Sequence, residues 1–184
     1  MLTHKGTKEL TTERLILRKF IPGDESAMYR NWASDSEVTR FLTWPAHTSE
    51  DVSRTILENW LKEYDRDDYY QWAIVFEGEP IGSISVVSHN DRVEKAEIGY
   101  CMGRKWWHRG IMSEALAAVI AFLFDEVGYQ RIESRHDPRN PHSGGVMRKC
   151  GMTFEGTHRR ADRNNQGICD ASHYAILKEE YKKE

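Results

Sequence analysis

Hydrophobic and polar residues alternate along several short stretches of the chain, and this period-two pattern predicts β-strands. In the first stretch Leu15 and Leu17 stand between charged residues. Residues 77–79 (EGE) separate two stretches and predict a hairpin turn, and residues 159–167 are polar and predict a loop. The seven segments with the strand pattern are residues 14–20, 70–76, 80–87, 93–102, 131–136, 152–158 and 173–177.

Apolar residues that recur three or four positions apart predict about four helices. One begins near Asp24, one spans about residues 48–64, and a short one runs from Ser143, as its N-cap, to Cys150. The longest apolar stripe lies in a helix over residues 111–127 and comprises Ile111, Met112, Ala115, Leu116, Val119, Ile120, Leu123, Phe124 and Val127. The element order, βααβββαβαββ, predicts a mixed α+β domain rather than a doubly wound fold.

The strand predicted over residues 93–102 divides its side chains between two faces. Ala96, Ile98, Tyr100 and Met102 share one face, and Glu97, Gly99 and Cys101 share the other. A glycine inside a strand is typical of a bulge or of a close approach by another backbone. We expect Gly99 to mark a bulge, with an ordinary sheet glycine as the alternative.

Length and charge narrow the classes of function. The 184 residues contain no repeat or linker, so residues 1–184 form one domain with a core over about residues 10–180. The net charge of −3 argues against nucleic-acid binding, which needs a basic surface. The longest apolar run has ten residues, half of what a membrane span requires.

Cysteines and histidines predict neither a disulfide framework nor a metal site. The three cysteines, Cys101, Cys150 and Cys169, form no CxxC pair, and the histidines have no metal-ligand spacing. The first ten residues contain no apolar segment typical of a signal peptide. These features are typical of a reducing compartment, and we expect a cytoplasmic protein without a metal.

Residues 105–116 (KWWHRGIMSEAL) place aromatic residues and a glycine just before the longest helix. The N-terminus of a helix has unpaired N–H groups and a partial positive charge, and so it binds phosphate well. Gly110 would let the backbone approach such an anion, although a simple turn is the alternative. Adjacent residues cannot share one face, so we expect one of Trp106 and Trp107 in the core and the other along a groove.

Three segments together resemble the GNAT superfamily of acetyl-CoA-dependent N-acetyltransferases. They are residues 96–115, 139–156 (RNPHSGGVMRKCGMTFEG) and 172–181 (SHYAILKEEY). The closest similarity is to the RimJ/RimL-type branch, which acetylates the N-termini of ribosomal proteins and whose first strand resembles residues 11–20. The resemblance implies one domain with a splayed mixed sheet of about seven strands and about four helices.

The same resemblance implies how this chain would bind acetyl-CoA. The pyrophosphate would lie against the segment that keeps the central glycine of the family signature, namely Trp107, His108, Arg109, Gly110, Ile111, Met112 and Ser113. The pantetheine arm would run along Tyr100, Cys101 and Met102 as an added strand. Asn140 would hold the arm through its side-chain amide, and Ser143 would lie beside the thioester sulfur.

The catalytic residues that follow from this comparison are two carboxylates and one hydroxyl. Glu97 on the splayed strand and Asp162 in the polar loop compete for the role of general base, each with a solvated acid as the alternative. Ser143 is the candidate acid for the leaving thiolate, with simple helix capping as its alternative. Three roles are open for the arginines of the polar loop, Arg159, Arg160 and Arg163. They form a solvated run of charge, a clamp on an acidic substrate or a contact with a second subunit.

The acceptor is predicted to be a primary amine, and the pKa of α-amines favours the N-terminus of a peptide or protein. A small-molecule amine is an alternative substrate, and a CoA-binding sensor without catalysis is the rival from another class. No nucleic acid and no membrane is expected as a partner, and a homodimer is among the assemblies left open.

Overall fold

The computed structural model of the chain describes residues 2–181, and among these residues eight strands form one sheet. The order of the strands across the sheet is β1-β2-β3-β4-β5-β6-β8-β7. Their bounds are β1 Leu10–Thr11, β2 Leu15–Arg18, β3 Gln71–Phe76, β4 Glu79–Asn90, β5 Lys95–Met102, β6 Arg131–His136, β7 Thr153–Asn164 and β8 Gly167–Leu177.

Six α-helices cover the sheet in the described part of the chain. Their bounds are α1 Asp24–Met28, α2 Ser36–Thr39, α3 Glu50–Glu63, α4 Ile111–Phe122, α5 Pro141–Lys149 and α6 Lys178–Tyr181. Two of them continue into π-helical turns, α1 over Tyr29–Ala33 and α4 over Leu123–Val127. No helix within residues 2–181 is long and apolar enough to cross a membrane.

The sheet opens between its two central strands. Every neighbouring pair is antiparallel except β5 and β6, which run parallel and pair at only three positions, Lys95 with Arg131, Ala96 with Ile132 and Glu97 with Glu133. Beyond Glu97 the two strands separate in the described structure. The second half of β5 therefore presents an edge to a slot inside the sheet.

Two clusters of apolar side chains pack on opposite faces of the sheet. The larger joins α4, through residues such as Leu116 and Val119, to Ile98 of β5. The smaller joins Trp32 and Leu57 to the other face of β3. Because helices cover both of its faces, β3 is buried at every position. The mixed α+β domain with a splayed sheet is confirmed.

The last two strands are much longer than predicted. Residues 159–167 do not form a loop, because β7 runs through Asn164 and pairs with β8 across a tight turn at Asn165 and Gln166. Most β7 side chains are exposed on both faces, so the strand has no hydrophobic alternation to detect. Its formation rests on the backbone hydrogen bonds with β8.

Two local predictions were wrong. Helix α5 begins at Pro141 with Asn140 as its N-cap residue, so Ser143 lies inside the first turn and does not cap the helix. Proline at the first helical position suits this start, because its missing N–H would be unpaired there anyway. Gly99 stays in register with Ser85, and the irregularity lies in β4 between Val86 and Ser88.

Gly99 has a different role, since the side chain of Val87 leaves no room for a β-carbon. A β-carbon at position 99 would lie 2.7 Å from Cγ1 of Val87. The extra residue in β4 thus turns Val87 toward Gly99. The bulge therefore lies in β4, the neighbour of β5, in which the sequence predicted it.

Candidate functional site

A cavity of about 570 Å³ lies where β5 leaves β6, between the N-termini of α4 and α5. Its rim includes the segment after α1, which covers one end. The lining residues that the sequence predicted as functional are Tyr100, Cys101, Met102, Trp107, His108, Gly110, Ile111, Met112, Ser113, Asn140 and Ser143. The structure therefore brings eleven predicted residues from three separate segments to one cavity.

The N-terminus of α4 opens at one end of the cavity. Gly110 has a φ of +74° and precedes the helix, and none of the described side chains caps the first turn. The N–H groups of Ile111, Met112 and Ser113 therefore have no hydrogen-bond partner within the helix and can donate to a ligand. A β-carbon at position 110 would lie 3.4 Å from Nζ of Lys149.

Positive charge surrounds this helix end. The Lys149 ammonium reaches it from the last turn of α5, and Nη2 of Arg14 would lie 3.7 Å from a β-carbon at Gly110. Arg14 also pairs with Glu114, whose carboxylate lies 2.7 Å from the guanidinium. An anionic group at the helix end would therefore meet both the helix dipole and a lysine.

The open edge of β5 forms the floor of the slot. The Ile98 carbonyl accepts a hydrogen bond of 2.8 Å from the Ser134 hydroxyl, and the Met102 carbonyl accepts one of 2.7 Å from Trp107 Nε1. By strand alternation the main chain of Tyr100 faces the same slot, whereas that of Cys101 faces β4. Of the three predicted strand contacts, Tyr100 and Met102 can thus offer main chain to a ligand and Cys101 only its side chain.

A pair of hydroxyl groups connects β5 to α5 at the cavity wall. The Tyr100 hydroxyl lies 3.0 Å from the Ser143 carbonyl oxygen, to which it can donate, and 3.1 Å from the Ser143 hydroxyl. Burial raises the pKa of Tyr100, so its phenol stays protonated and acts as a hydrogen-bond donor or acceptor. The neighbouring Asn140 has no capping bond from its side chain, and its amide is available to the cavity.

The two tryptophans divide as predicted. Trp106 is 5% exposed in the larger core cluster, whereas Trp107 is 37% exposed and lines the cavity. The Trp107 indole is fixed by its hydrogen bond to β5. The next residue, His108, has a φ of +59°, and its ring lies 4.8 Å from that of His142. Two positive φ values at positions 108 and 110 thus shape the turn into α4.

Arg109 differs from its neighbours in position. Its guanidinium stacks on Phe76, 5.3 Å from the ring centroid, and its carbonyl accepts a hydrogen bond of 3.1 Å from Arg14. Arg109 is absent from the cavity lining in the described structure. These contacts give it a packing role at the end of β3.

The two candidate bases meet at one guanidinium. Arg135 of β6 binds the Glu97 carboxylate through Nη1 and the Asp162 carboxylate through Nε, the latter at 2.7 Å. Glu97 also accepts a 3.1 Å hydrogen bond from Ser88. Neither acid lines the cavity among the described residues. The structure brings the two carboxylates together but binds both to an arginine.

Several lining residues were not predicted from the sequence. The rim comes from residues 37–42, where Phe41 lies beneath the guanidinium of Arg40 at 5.2 Å and of Arg139 at 6.0 Å. Arg139 is bound by the buried Asp137, and this hydrogen bond keeps the pKa of that carboxyl well below its usual range. Lys149 is another lining residue that was not predicted, as are Pro141, His142, Gly145 and Val146. No sequence pattern marks these positions, because their elements meet only in the fold.

The arginine-rich segment lies on β7 rather than in a loop. Arg159, Arg160 and Arg163 are exposed along this edge strand, and the Arg160 N–H donates a 2.8 Å hydrogen bond to Asp170. This placement agrees with a solvated charge run.

Known proteins share this sequence and architecture. Residues 14–153 match the family described as the acetyltransferase (GNAT) domain. An uncharacterized N-acetyltransferase, p20, of Bacillus licheniformis is 29% identical over 94% of this chain and 97% of its own length. The alanine N-acetyltransferase of ribosomal protein uS5 from Escherichia coli is 25% identical over 80% of this chain and 79% of its own.

Solved structures agree with the sequence match. A GNAT-family acetyltransferase from Bacillus anthracis superimposes with a TM-score of 0.82 over 94% of this chain and 99% of its own, at 27% identity. RimL, solved with coenzyme A, shares the fold with a TM-score of 0.83 over 92% and 98% of the two chains, at 22% identity. The splayed sheet, the uncapped helix and the family match agree, and the chain belongs to the GNAT acetyltransferase family.

Proposed function

We propose that this N-acetyltransferase uses acetyl-CoA as its donor and acetylates the N-terminal α-amine of a peptide or protein. One observation carries the choice of acceptor. Both carboxylates that the sequence predicts as the base, Glu97 and Asp162, are bound to Arg135, so the site favours an amine that loses its proton at little cost.

The cavity has the groups that acetyl-CoA requires. The N–H groups at the start of α4 and the Lys149 ammonium suit a pyrophosphate, which carries negative charge. The open edge at Tyr100 and Met102 suits the amide groups of a pantetheine arm. Asn140 and Ser143 line the same cavity, and in this proposal they lie beside the thioester. The donor set therefore fits the ligand along its length.

The cost of deprotonation separates the two kinds of amine. An α-amine has a pKa of about 7.7–8.0 and a lysine about 10.4. At about 1.36 kcal/mol per pKa unit, forming the neutral amine at pH 7 costs about 1 kcal/mol for the first and about 4.6 kcal/mol for the second. Water can accept the proton of the first with modest help. The general-base roles of Glu97 and Asp162 stay predictions.

The hydroxyl pair would act on the leaving group. The amine nitrogen bonds to the thioester carbonyl carbon, the carbon–sulfur bond breaks, and the sulfur needs a proton. Ser143 can supply it, and Tyr100 can hold the serine hydroxyl in place at 3.1 Å. A thiol pKa near 8.5 makes the thiolate an easy leaving group, and the serine hydroxyl takes back from water the proton that it gives to the sulfur. The Met102 N–H, on the slot side of β5 by alternation, can donate to the carbonyl oxygen as negative charge develops.

Relatives add support for a protein acceptor. The Escherichia coli proteins named for acetylating an alanine of uS5 and for ribosomal-protein-serine acetylation are 25% and 29% identical to this chain. The two matches cover 80% and 74% of it. An acceptor of the same class would enter past residues 37–42, which cover one end of the cavity.

The experiment is thiol release from acetyl-CoA with matched acceptors. One peptide carries a free N-terminus and arginine in place of lysine; its partner has a blocked N-terminus and one lysine. Polyamines and aminoglycosides complete the panel. The proposal predicts turnover with the first peptide only. Turnover with a polyamine or aminoglycoside alone would assign a small-molecule acceptor, and binding of CoA without turnover on any amine would assign a sensor.

A further inference from the structure

Two histidines and an aspartate from distant parts of the chain meet at the end of the sheet opposite the cavity. His4 Nε2 lies 3.1 Å from Asp91 Oδ2, and His89 Nδ1 lies 2.8 Å from Asp91 Oδ1. The two imidazole rings are 5.4 Å apart at nearly edge-to-face orientation. All three potential ligand atoms fall within 4.8 Å of one another. One carboxylate is therefore shared by two imidazoles.

A second layer of contacts orients the cluster. His4 Nδ1 lies 2.9 Å from the hydroxyl of Tyr70, a buried residue of the core. Metal-binding histidines are held in this way, with the second ring nitrogen hydrogen-bonded to a fixed group. The Asp68 carboxylate lies 3.9 Å from His89 Nε2 and holds the other ring more loosely.

We propose that His4, His89 and Asp91 bind a zinc-class divalent cation. Two imidazole nitrogens and a carboxylate oxygen, with water as the fourth ligand, form a donor set that zinc accepts in tetrahedral geometry. At bond lengths of about 2.0–2.2 Å, ligand atoms in such a site lie roughly 3.4 Å apart. The nitrogen–oxygen separations of 2.8 and 3.1 Å, which involve the two oxygens of Asp91, would widen by a few tenths of an ångström. The three ligand atoms, which all fall within 4.8 Å, would draw together by up to about 1.4 Å.

The cluster leaves room for the water ligand. The side chains of His4 and His89 are 19% and 26% exposed, and that of Asp91 is 51% exposed. Hard cations such as Mg²⁺ prefer all-oxygen sites, so the two imidazoles select a softer metal. The sequence does not reveal this site, because its ligands stand 85 positions apart in the chain, at 4 and 89.

The site would be structural rather than catalytic. Met102 at the cavity is seven residues along β5 from Lys95, and at about 3.3 Å per residue this places the two ends roughly 23 Å apart. The bound cation would tie the segment around His4 to the connection between β4 and β5. That segment is otherwise held by backbone bonds such as the one of 2.8 Å from Thr3 to Val127. A ligand that binds only the folded state stabilises it.

The test is titration calorimetry of untagged protein, stripped with a chelator, against zinc chloride, with magnesium chloride as the ionic control. We expect saturable binding of one zinc ion per chain and a zinc-dependent rise in Tm. His4→Ala, His89→Ala and Asp91→Asn should each weaken binding by at least about tenfold, and Tyr70→Phe by about 10- to 100-fold.

His158→Ala is the matched control, because it removes a histidine whose ring lies 4.3 Å from that of His173, outside this cluster. It should leave zinc affinity unchanged. Equal affinity in the wild-type protein and in the three ligand variants would overturn the proposal, as would no binding by correctly folded wild-type protein. Asp91→Asn keeps the shape of the side chain and thus guards against loss through unfolding. Acetyl transfer is not a readout here.

Discussion

Gly110→Ala tests the anion site at the start of α4, and the structure separates its two effects. With φ at +74°, any residue with a β-carbon is strained, at about 1–2 kcal/mol. The β-carbon itself has tolerable space in the protein, 3.4 Å from Lys149 Nζ. The fold should therefore survive with a modest loss in its free energy of unfolding. A β-branched residue such as valine would add further strain.

The effect on ligand binding should be larger. The added methyl group would project toward the place where backbone N–H groups and Lys149 meet an anion. A hydrogen bond to a charged group contributes about 1.5–3 kcal/mol. Losing one such bond weakens binding roughly 10- to 150-fold, since about 1.4 kcal/mol is a factor of ten. We therefore expect the dissociation constant of CoA to rise by that factor.

Gly78→Ala supplies the control. Its φ of +80° is nearly the same as that of Gly110, it lies in the turn between β3 and β4, and a β-carbon there meets no atom within 4 Å. Both variants should lose similar stability in thermal unfolding followed by circular dichroism. Only Gly110→Ala should lose affinity for CoA in calorimetry. A folded Gly110→Ala protein with a dissociation constant within about twofold of wild type would refute the placement of the anion.

Four further variants address the hydroxyl, the carboxylates and the cavity wall. Ser143→Ala should lower kcat by roughly 10²-fold with CoA affinity unchanged, and an unchanged kcat would exclude Ser143 as the acid. Because Ser143 is not the N-cap residue, thermal unfolding should not show the loss of about 1 kcal/mol that a lost cap causes. Glu97→Gln and Asp162→Asn should each lower the rate of acetyl transfer by the same factor at every pH, since Arg135 holds both acids. A loss of rate that becomes smaller as the pH rises would instead identify that residue as the base. Asp137→Asn should reduce the free energy of unfolding at pH 7 by roughly 1–3 kcal/mol. Because the pKa of Asp137 is lowered in the folded state, the difference from wild type, measured by urea unfolding, should shrink as the pH falls below about 4. A difference that does not change with pH would contradict the ion pair.

Buried, periodic parts of the chain were the predictable ones. The stripe in α4, the alternation along β5 and the division of Trp106 and Trp107 follow from burial, which leaves a direct trace in hydrophobicity. The start of α4 after Gly110 was predictable because the apolar stripe begins at Ile111, whereas the role of Gly110 beside an anion stays a prediction. Each of these features is local in sequence.

Features that arise from register or from backbone pairing could not be predicted. β7 is exposed on both faces and carries no alternating signal. Glu97 and Asp162 both contact Arg135 because the parallel register of β5 and β6 places Arg135 between them. The rim at residues 37–42 reaches the cavity only because the first helices fold over the sheet. These contacts leave no local pattern in the sequence from which they could be predicted.

The measurement that tests the central proposal most directly uses a single peptide with a free N-terminus and one internal lysine. The peptide is incubated with the protein and acetyl-CoA near pH 7, and fragmentation mass spectrometry locates the acetyl group. We predict modification of the α-amine, with the lysine left free, because Arg135 holds both candidate carboxylates and the α-amine loses its proton at lower cost than lysine. Acetylation confined to the lysine, or none on a peptide that the protein binds, would contradict the account.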